Sequence, residues 1–233
     1  SFQGTLNTPA QNSTTILASG GSLNIKASNT NGVANYNLKA NGTSINTAAA
    51  TASYAFNHTN ITGNQNYELE VTQGMTTIVK KFTAVVSPTV FSETIPAGLV
   101  DGINYNPNDA TKATLVLDAP LKDFVYVAGS FNNWQPTAAY AMKKDASAGS
   151  TKFWLELTGL TAGTNYTYQY WVVDQTPLAG SPSLVKAADP YSTLVLSPYD
   201  DGGIPATSFP NLPAYPSGQE REVTWFKTGQ TPY

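Results

Sequence analysis

The sequence of 233 residues contains no cysteine, and this absence excludes several kinds of chemistry. Without thiols the chain can form no disulfide, no thiolate nucleophile and no zinc–thiolate site. There is one histidine, His58, so a Ser-His-Asp arrangement could form at only one place, and no nucleophile elbow accompanies it. We therefore expect no cofactor and no metal ion.

Charge is also scarce, at 12% of residues, where about 25% is usual. The net charge is −3, and the largest basic clusters are the pairs Lys80-Lys81 and Lys143-Lys144. These pairs are too small to neutralise a phosphate backbone, so we expect no nucleic-acid partner. No apolar run reaches the about 18 residues that a membrane span requires, and Ser1 is not followed by the pattern of a signal peptide.

Small polar residues and aromatic residues are abundant: aromatics form 11% of the chain, with thirteen tyrosines. Apolar residues alternate in short runs that are bounded by Gly, Asn and Pro, and no helical period persists for three turns. This pattern predicts an all-β protein. The composition is typical of a β-rich extracellular protein, and we expect a monomer.

The length fits two immunoglobulin-like β-sandwiches of about 100 residues each. Pro88 and Pro96 remove ladder donors from the segment 87–98, which we interpret as a short, stiff linker. We therefore expect a first module at 1–88, a second at 99–217 and a final strand in the segment 218–233, which looks cut at its end. The predicted strands are Thr15–Ala18, Ser22–Ala27, Asn35–Ala40, Ala52–Asn57, Asn66–Gln73, Thr76–Val86, Lys112–Asp118, Asp123–Ala128, Thr151–Leu157, Tyr166–Asp174, Ser192–Leu196 and Glu222–Thr228.

Three runs of the second module carry a family resemblance. They are V-Y-V-A-G-S-F-N-N-W-Q (125–135), F-W-L-E-L-T-G-L-T-A-G-T-N-Y-T-Y-Q-Y-W-V-V-D (153–174) and A-A-D-P-Y-S (187–192). In this order and spacing they resemble the early-set immunoglobulin-like domain of carbohydrate-binding module family 48. That domain precedes the catalytic barrel in isoamylases, branching enzymes and other members of glycoside hydrolase family 13.

The resemblance implies that this chain is the non-catalytic N-terminal region of a secreted, periplasmic or cell-surface bacterial enzyme of the α-amylase type. The region would orient its own barrel in cis and bind starch-like α-glucan weakly. The segment 218–233 would then be the lead-in strand to that barrel. The first module resembles nothing beyond immunoglobulin-like β-structure, and a purely structural or adhesive tandem module without a sugar site is the alternative.

Trp134 is the main candidate for a carbohydrate contact. An indole face can cover the C–H patches of a pyranose ring, and the amides of Asn132 and Asn133 could bond to its hydroxyls. The resemblance implies a stacking role for Trp134. It also implies that Gln169 contacts the sugar, at a position where the relatives carry a basic residue, so that hydrogen bonding is kept and the charge is lost. Their second stacking tryptophan has no aromatic counterpart near 175–177. Trp134 could instead be a plug that packs against a strand end.

Trp154 and Trp171 are candidates for a domain interface, because strand alternation puts them on the face that carries polar neighbours. A large apolar patch there would indicate a partner surface, either the barrel or the first module. We also count Asp189 and Tyr191 among the candidate interface residues. They belong to the Asp-Pro-Tyr run, in which the proline fixes a bend.

Hydrolysis of a glycosidic bond requires two convergent carboxylates. The fifteen acidic residues are scattered, so we expect no catalytic residue in this chain. Asn57-His58 is superficially similar to the Asn-His pair of the family's barrel, but the aspartate that should precede it is absent. Asp200-Asp201 followed by two glycines fits either a calcium loop or an ordinary turn.

Overall fold

The computed structural model describes residues 3–230 and divides the chain into two compact units between Ser87 and Pro88. Each unit consists of two β-sheets, so the prediction of an all-β protein built from tandem immunoglobulin-like sandwiches is confirmed. Within the described residues, no helix is long and apolar enough to span a membrane.

The first unit contains eight strands: β1 (Gly4–Thr8), β2 (Thr14–Leu17), β3 (Gly21–Asn29), β4 (Ala34–Ala40), β5 (Thr43–Thr51), β6 (Ser53–Ile61), β7 (Gln65–Gln73) and β8 (Thr76–Val86). One sheet has the order β1-β3-β6 and the other β2-β8-β7-β4-β5. Only β2 and β8 pair in parallel. Side chains that alternate along these strands fill the core, among them the buried residues Tyr36, Leu38, Tyr67, Leu69 and Phe82.

The second unit contains nine strands: β9 (Gly102–Tyr105), β10 (Ala113–Asp118), β11 (Phe124–Gly129), β12 (Lys143–Lys144), β13 (Lys152–Leu157), β14 (Tyr166–Val173), β15 (Leu184–Ala187), β16 (Val195–Leu196) and β17 (Val223–Phe226). One sheet has the order β12-β13-β10-β9 and the other β11-β14-β17-β16, with β15 pairing to β14. Phe153, Tyr168, Tyr170 and Phe226 are fully buried in this core.

Residues that the sequence assigned to a linker lie against the second unit. Lys144 donates its N–H to the carbonyl of Phe91, and its own carbonyl accepts the N–H of Glu93. The N–H of Ile95 is bound by the carboxylate of Asp145 at 3.0 Å. This segment therefore extends the sheet at β12 instead of running free between modules.

The expected lead-in strand is also part of the second unit. β17 pairs with β14 on one side and with β16 on the other, and its residues Val223 and Thr224 are fully buried. The interpretation of this strand as a separate element is therefore corrected, because its removal would open the middle of a sheet. Residues 231–233 of the same segment lie outside the described part of the chain.

We predict that the fragment 88–233 folds alone and is more stable than the fragment 99–233. Loss of residues 88–98 removes at least four hydrogen bonds, each contributing about 1 kcal/mol, and uncovers Trp154, whose indole N–H donates to the carbonyl of Glu93. Thermal melting should show a lower Tm for 99–233, and its tryptophan emission should shift to longer wavelength. Equal melting temperatures would contradict the assignment of residues 88–98 to this unit.

His58 on β6 is held by the first unit's core rather than by a catalytic partner. Its Nδ1 and the hydroxyl of Tyr67 share a hydrogen bond at 2.6 Å, and Tyr67 stacks on Phe82 with ring centroids 4.9 Å apart. Burial lowers the pKa of His58 below its ordinary value, and burial also raises the pKa of Tyr67, which keeps that phenol protonated. Both shifts favour the neutral form of each side chain.

This arrangement predicts a pH-dependent stability. The unfolded chain takes up a proton on His58 near pH 6.5, whereas the folded chain does so only at lower pH, so stability should fall as the pH drops below about 6.5. Chemical denaturation between pH 7.5 and 5.5 measures the effect, and His58→Gln should flatten it. Because His58 is the sole histidine, an equally steep pH dependence of the free energy of unfolding in the variant would show that His58 is not its cause.

Candidate functional site

The loop after β11 is locked by Asn132. A short 3-10 turn covers Ser130–Asn132, and the side-chain oxygen of Asn132 accepts the N–H of Gly129 at 2.9 Å. The amide nitrogen of the same side chain donates to the carbonyl of Val127, also at 2.9 Å. Both polar groups of Asn132 are thus committed to the backbone, so this predicted sugar contact is corrected to a loop clamp.

Phe131, not Trp134, fills the strand end. Its ring stacks on Tyr140 at 5.6 Å between centroids and packs against the core of the second unit. Gly129 makes room for it: a Cβ at this position would lie 2.7 Å from the Phe131 ring and 2.5 Å from the carbonyl oxygen of Thr167. The glycine of the G-x-F-N-x-W run is therefore required by a close approach.

Trp134 follows in an unusual backbone conformation. Asn133 and Trp134 both lie in the left-handed region, with φ of 53° and 58°, and the N–H of Trp134 donates to the carbonyl of Gly129 at 3.0 Å. Such angles are uncommon for residues other than glycine. Trp134 is half-buried and Asn133 is exposed, and Trp134 is not among the described residues that pack against the core. These two side chains are the part of the predicted site that faces solvent.

Gln169 lies inside the unit, with no exposed surface. Its amide nitrogen donates to the carbonyls of Glu220 and Glu222, at 3.0 and 3.5 Å, and its oxygen accepts the indole N–H of Trp171 at 3.0 Å. The prediction that Gln169 contacts sugar is therefore corrected, because its hydrogen-bonding capacity joins β14 to the chain before β17.

Trp154 and Trp171 are 5% and 7% exposed, so neither forms the open apolar patch expected of an interface. The indole N–H of Trp154 donates to the carbonyl of Glu93 at 2.8 Å. Lys143 lies over the Trp154 ring at 4.6 Å and Lys186 over the Trp171 ring at 4.8 Å. Each indole is covered by residues of its own unit.

Asp189 is a buried carboxylate, 2% exposed, that accepts three hydrogen bonds. The hydroxyls of Tyr168 and Tyr170 donate to Oδ2 at 2.8 and 3.1 Å, and the N–H of Tyr191 donates to Oδ1 at 3.0 Å. Burial raises the pKa of both tyrosines, which therefore stay protonated as donors. Of the four predicted interface residues, only Tyr191 is exposed, at 54%.

The remaining acidic candidates do not converge. Asp200 and Asp201 lie at the start of a short 3-10 turn, Asp201–Gly203. Among the described residues, no group of three or more His, Cys, Asp or Glu side chains is placed to hold a metal ion.

Neither protein-family models nor curated proteins match this chain. Among solved structures, fibronectin(III)-like modules of Clostridium thermocellum CbhA are 17% identical, covering 79% of this chain and 92% of that chain at a TM-score of 0.32. A chimeric titin Z1Z2 tandem is 11% identical, covering 78% and 96% at 0.32. The Bacteroides ovatus mixed-linkage glucan utilization locus protein SGBP-B, in complex with a heptasaccharide, is 12% identical, covering 73% and 64% at 0.29. At these scores the similarity carries no functional argument.

We predict that substitution of Asn132 lowers the free energy of unfolding and that substitution of Asn133 barely changes it. Asn132→Ala leaves a backbone N–H and a backbone carbonyl without their partner and should lower the free energy of unfolding by about 1–3 kcal/mol. Asn133→Gly, at an exposed left-handed position that glycine adopts freely, should change it by less than about 0.5 kcal/mol. Urea denaturation of the two variants tests this, and similar losses would contradict the clamp.

Proposed function

We propose that this chain is a non-catalytic carbohydrate-contacting region of a secreted or cell-surface bacterial glycoside hydrolase of the α-amylase type. The second unit contacts starch-like α-glucan through Trp134 and orients the enzyme's barrel in cis. The first unit and the second are immunoglobulin-like modules without catalytic residues.

The observation that carries the proposal is the rigid presentation of Trp134. A platform for a sugar ring must be held in one orientation before the ligand arrives, because ordering it on binding costs free energy. Asn132 fixes the turn, Phe131 anchors it to the core, and Trp134 is left partly exposed beside the exposed amide of Asn133. This division of roles supports a contact surface at Trp134 and not a plug.

The α-glucan specificity and the α-amylase-type parent rest on the sequence runs 125–135, 153–174 and 187–192, which resemble carbohydrate-binding module family 48. A single aromatic platform, with Gln169 buried, gives few contacts. We therefore expect a dissociation constant of about 1 mM, equivalent to about −4 kcal/mol.

A second candidate function is a structural module that binds no sugar. It is favoured by the burial of Gln169, Trp154 and Trp171, since these residues act within their own unit. Under this alternative the Trp134 loop serves only to close the end of the sandwich.

Maltoheptaose or β-cyclodextrin at millimolar concentration should shift the tryptophan fluorescence, and Trp134→Ala should abolish the shift. The same substitution should cost less than the about 3–5 kcal/mol of a fully buried tryptophan, because the indole is partly exposed. Binding is followed by fluorescence titration and stability by thermal melting with and without sugar.

Trp225→Phe is the matched control, because Trp225 is the other half-buried tryptophan and Trp154 and Trp171 are buried. It should leave the sugar-dependent shift in place. If the unsubstituted protein shows no shift and Trp134→Ala melts far earlier, the sugar contact is excluded and the structural alternative stands.

A further inference from the structure

A groove of about 310 Å³ lies on the outer face of the first unit, over the strands β4, β5 and β7. It is lined by Asn35, Tyr36, Asn37, Thr47, Ala48, Ala49, Glu70 and Thr72. Its volume is at the lower end of the about 300–1,000 Å³ range of small-molecule sites. The motifs of the second unit give no indication of it.

A bulge in β5 shapes this groove. Ala34 pairs with Thr51 and Tyr36 with Ala48, so β5 carries one more residue than β4 between these pairs. A bulge leaves one residue out of the ladder and bends its strand. Here Ala50 adopts a φ of 50°, and its N–H is bound by the side-chain oxygen of Asn35 at 2.9 Å.

Asn37 is fixed in the same way, because its side-chain oxygen accepts the hydroxyl of Ser44 at 2.5 Å. Asn35 and Asn37 project from the same face of β4, about 7 Å apart at two residues' rise. Because both oxygens are bound by the protein, the NH₂ group of each amide is the part that can donate to a ligand. The two donors are therefore oriented before binding.

Acceptors lie beside these donors. Glu70 pairs with Asn37 across β7 and β4, and the exposed Thr47 pairs with Asn37 on the other side. The carboxylate of Glu70 forms an ion pair with Lys39 on β4, which leaves the groove without net charge at this point. The exposed Ala49 adds a small apolar surface.

This set of groups decides the class of ligand. A hard cation needs about six to eight oxygen ligands, but both asparagine oxygens are already bound and the carboxylate is paired. A bound anion would be disfavoured by the carboxylate of Glu70, which lines the groove. The groove places the uncharged amide donors of Asn35 and Asn37 beside the hydroxyl of Thr47 and the ion-paired carboxylate of Glu70. Such a set matches the vicinal hydroxyl groups of a sugar, each of which both donates and accepts hydrogen bonds.

We propose that this groove binds a neutral oligosaccharide, with the amides of Asn35 and Asn37 donating to its hydroxyls and Thr47 and Glu70 accepting from them. No aromatic ring of the lining is exposed, since Tyr36 is 2% exposed, so the binding is polar and weak. The groove is formed by the first unit's residues alone and does not depend on Trp134.

The test is titration of the whole chain with maltoheptaose and with cellohexaose, followed by amide NMR of the ¹⁵N-labelled protein. The side-chain NH₂ signals of Asn35 and Asn37 should shift saturably with at least one of the two sugars, up to about 10 mM, ten times a millimolar dissociation constant. The shifts should persist in Trp134→Ala, so failure of the Trp134 site and failure of the groove are separable.

Asn37→Asp keeps the acceptor for Ser44 but converts the donor to an acceptor, and Thr47→Val removes the hydroxyl at nearly constant shape. Each should weaken binding at the groove at least about fivefold, whereas Asn24→Asp, on an exposed position of β3 outside the groove, should not. The proposal is overturned if neither sugar moves the groove signals, or if Asn37→Asp and Asn24→Asp bind alike.

Discussion

The second unit depends on one buried carboxylate. Asp189 has almost no contact with water, and its carboxylate oxygens are instead satisfied by hydrogen bonds from the hydroxyls of Tyr168 and Tyr170 and from the N–H of Tyr191. Its own N–H donates to the hydroxyl of Thr224 at 2.8 Å. One residue, through its carboxylate and its backbone N–H, therefore joins β14, the chain after β15 and β17, which are distant in sequence.

This cluster explains why the runs Y-T-Y-Q-Y and A-D-P-Y occur together in the chain. Tyr168 and Tyr170 stand two residues apart on one strand face, so that both hydroxyls reach the same carboxylate, and Pro190 follows Asp189 where the chain turns. These motifs thus specify the architecture of a sandwich. Motifs of this kind are good evidence for a fold, but a sugar site has to be argued from the side chains that reach solvent.

Strand alternation was sufficient to predict the all-β class and most of the strands. It missed β5, whose run T-S-I-N-T-A-A-A-T has few strand-forming side chains, and four short strands, β1, β9, β12 and β15. It also placed Gln169 and Trp171 correctly on the opposite face from Tyr168 and Tyr170, but could not show that this face is covered. The cover comes from Lys186 and from the chain at Glu220, and such long-range contacts have no local signal.

The loop at 129–135 also depends on long-range contacts. Its sequence contains two bulky aromatic residues and two asparagines, and nothing local shows which of them pack inward and which face solvent. The structure divides them by geometry: Phe131 packs inward because Gly129 admits its ring, and Asn132 binds the backbone. Trp134 and Asn133 are left to face solvent as a consequence. In the first unit, the side-chain oxygen of Asn35 accepts a backbone N–H and that of Asn37 accepts the hydroxyl of Ser44. The amide nitrogens are the groups that can donate to a ligand.

Both surfaces are small, and neither offers more than one platform or a few polar groups. Weak contacts of this kind become effective when they are linked to another binding site, because the second contact is then intramolecular and its local concentration is high. Two proposed weak sugar contacts fit that logic better than they fit tight, independent capture of a sugar. Affinity measured at one proposed contact alone is therefore expected to understate what it contributes when a second contact engages the same sugar chain.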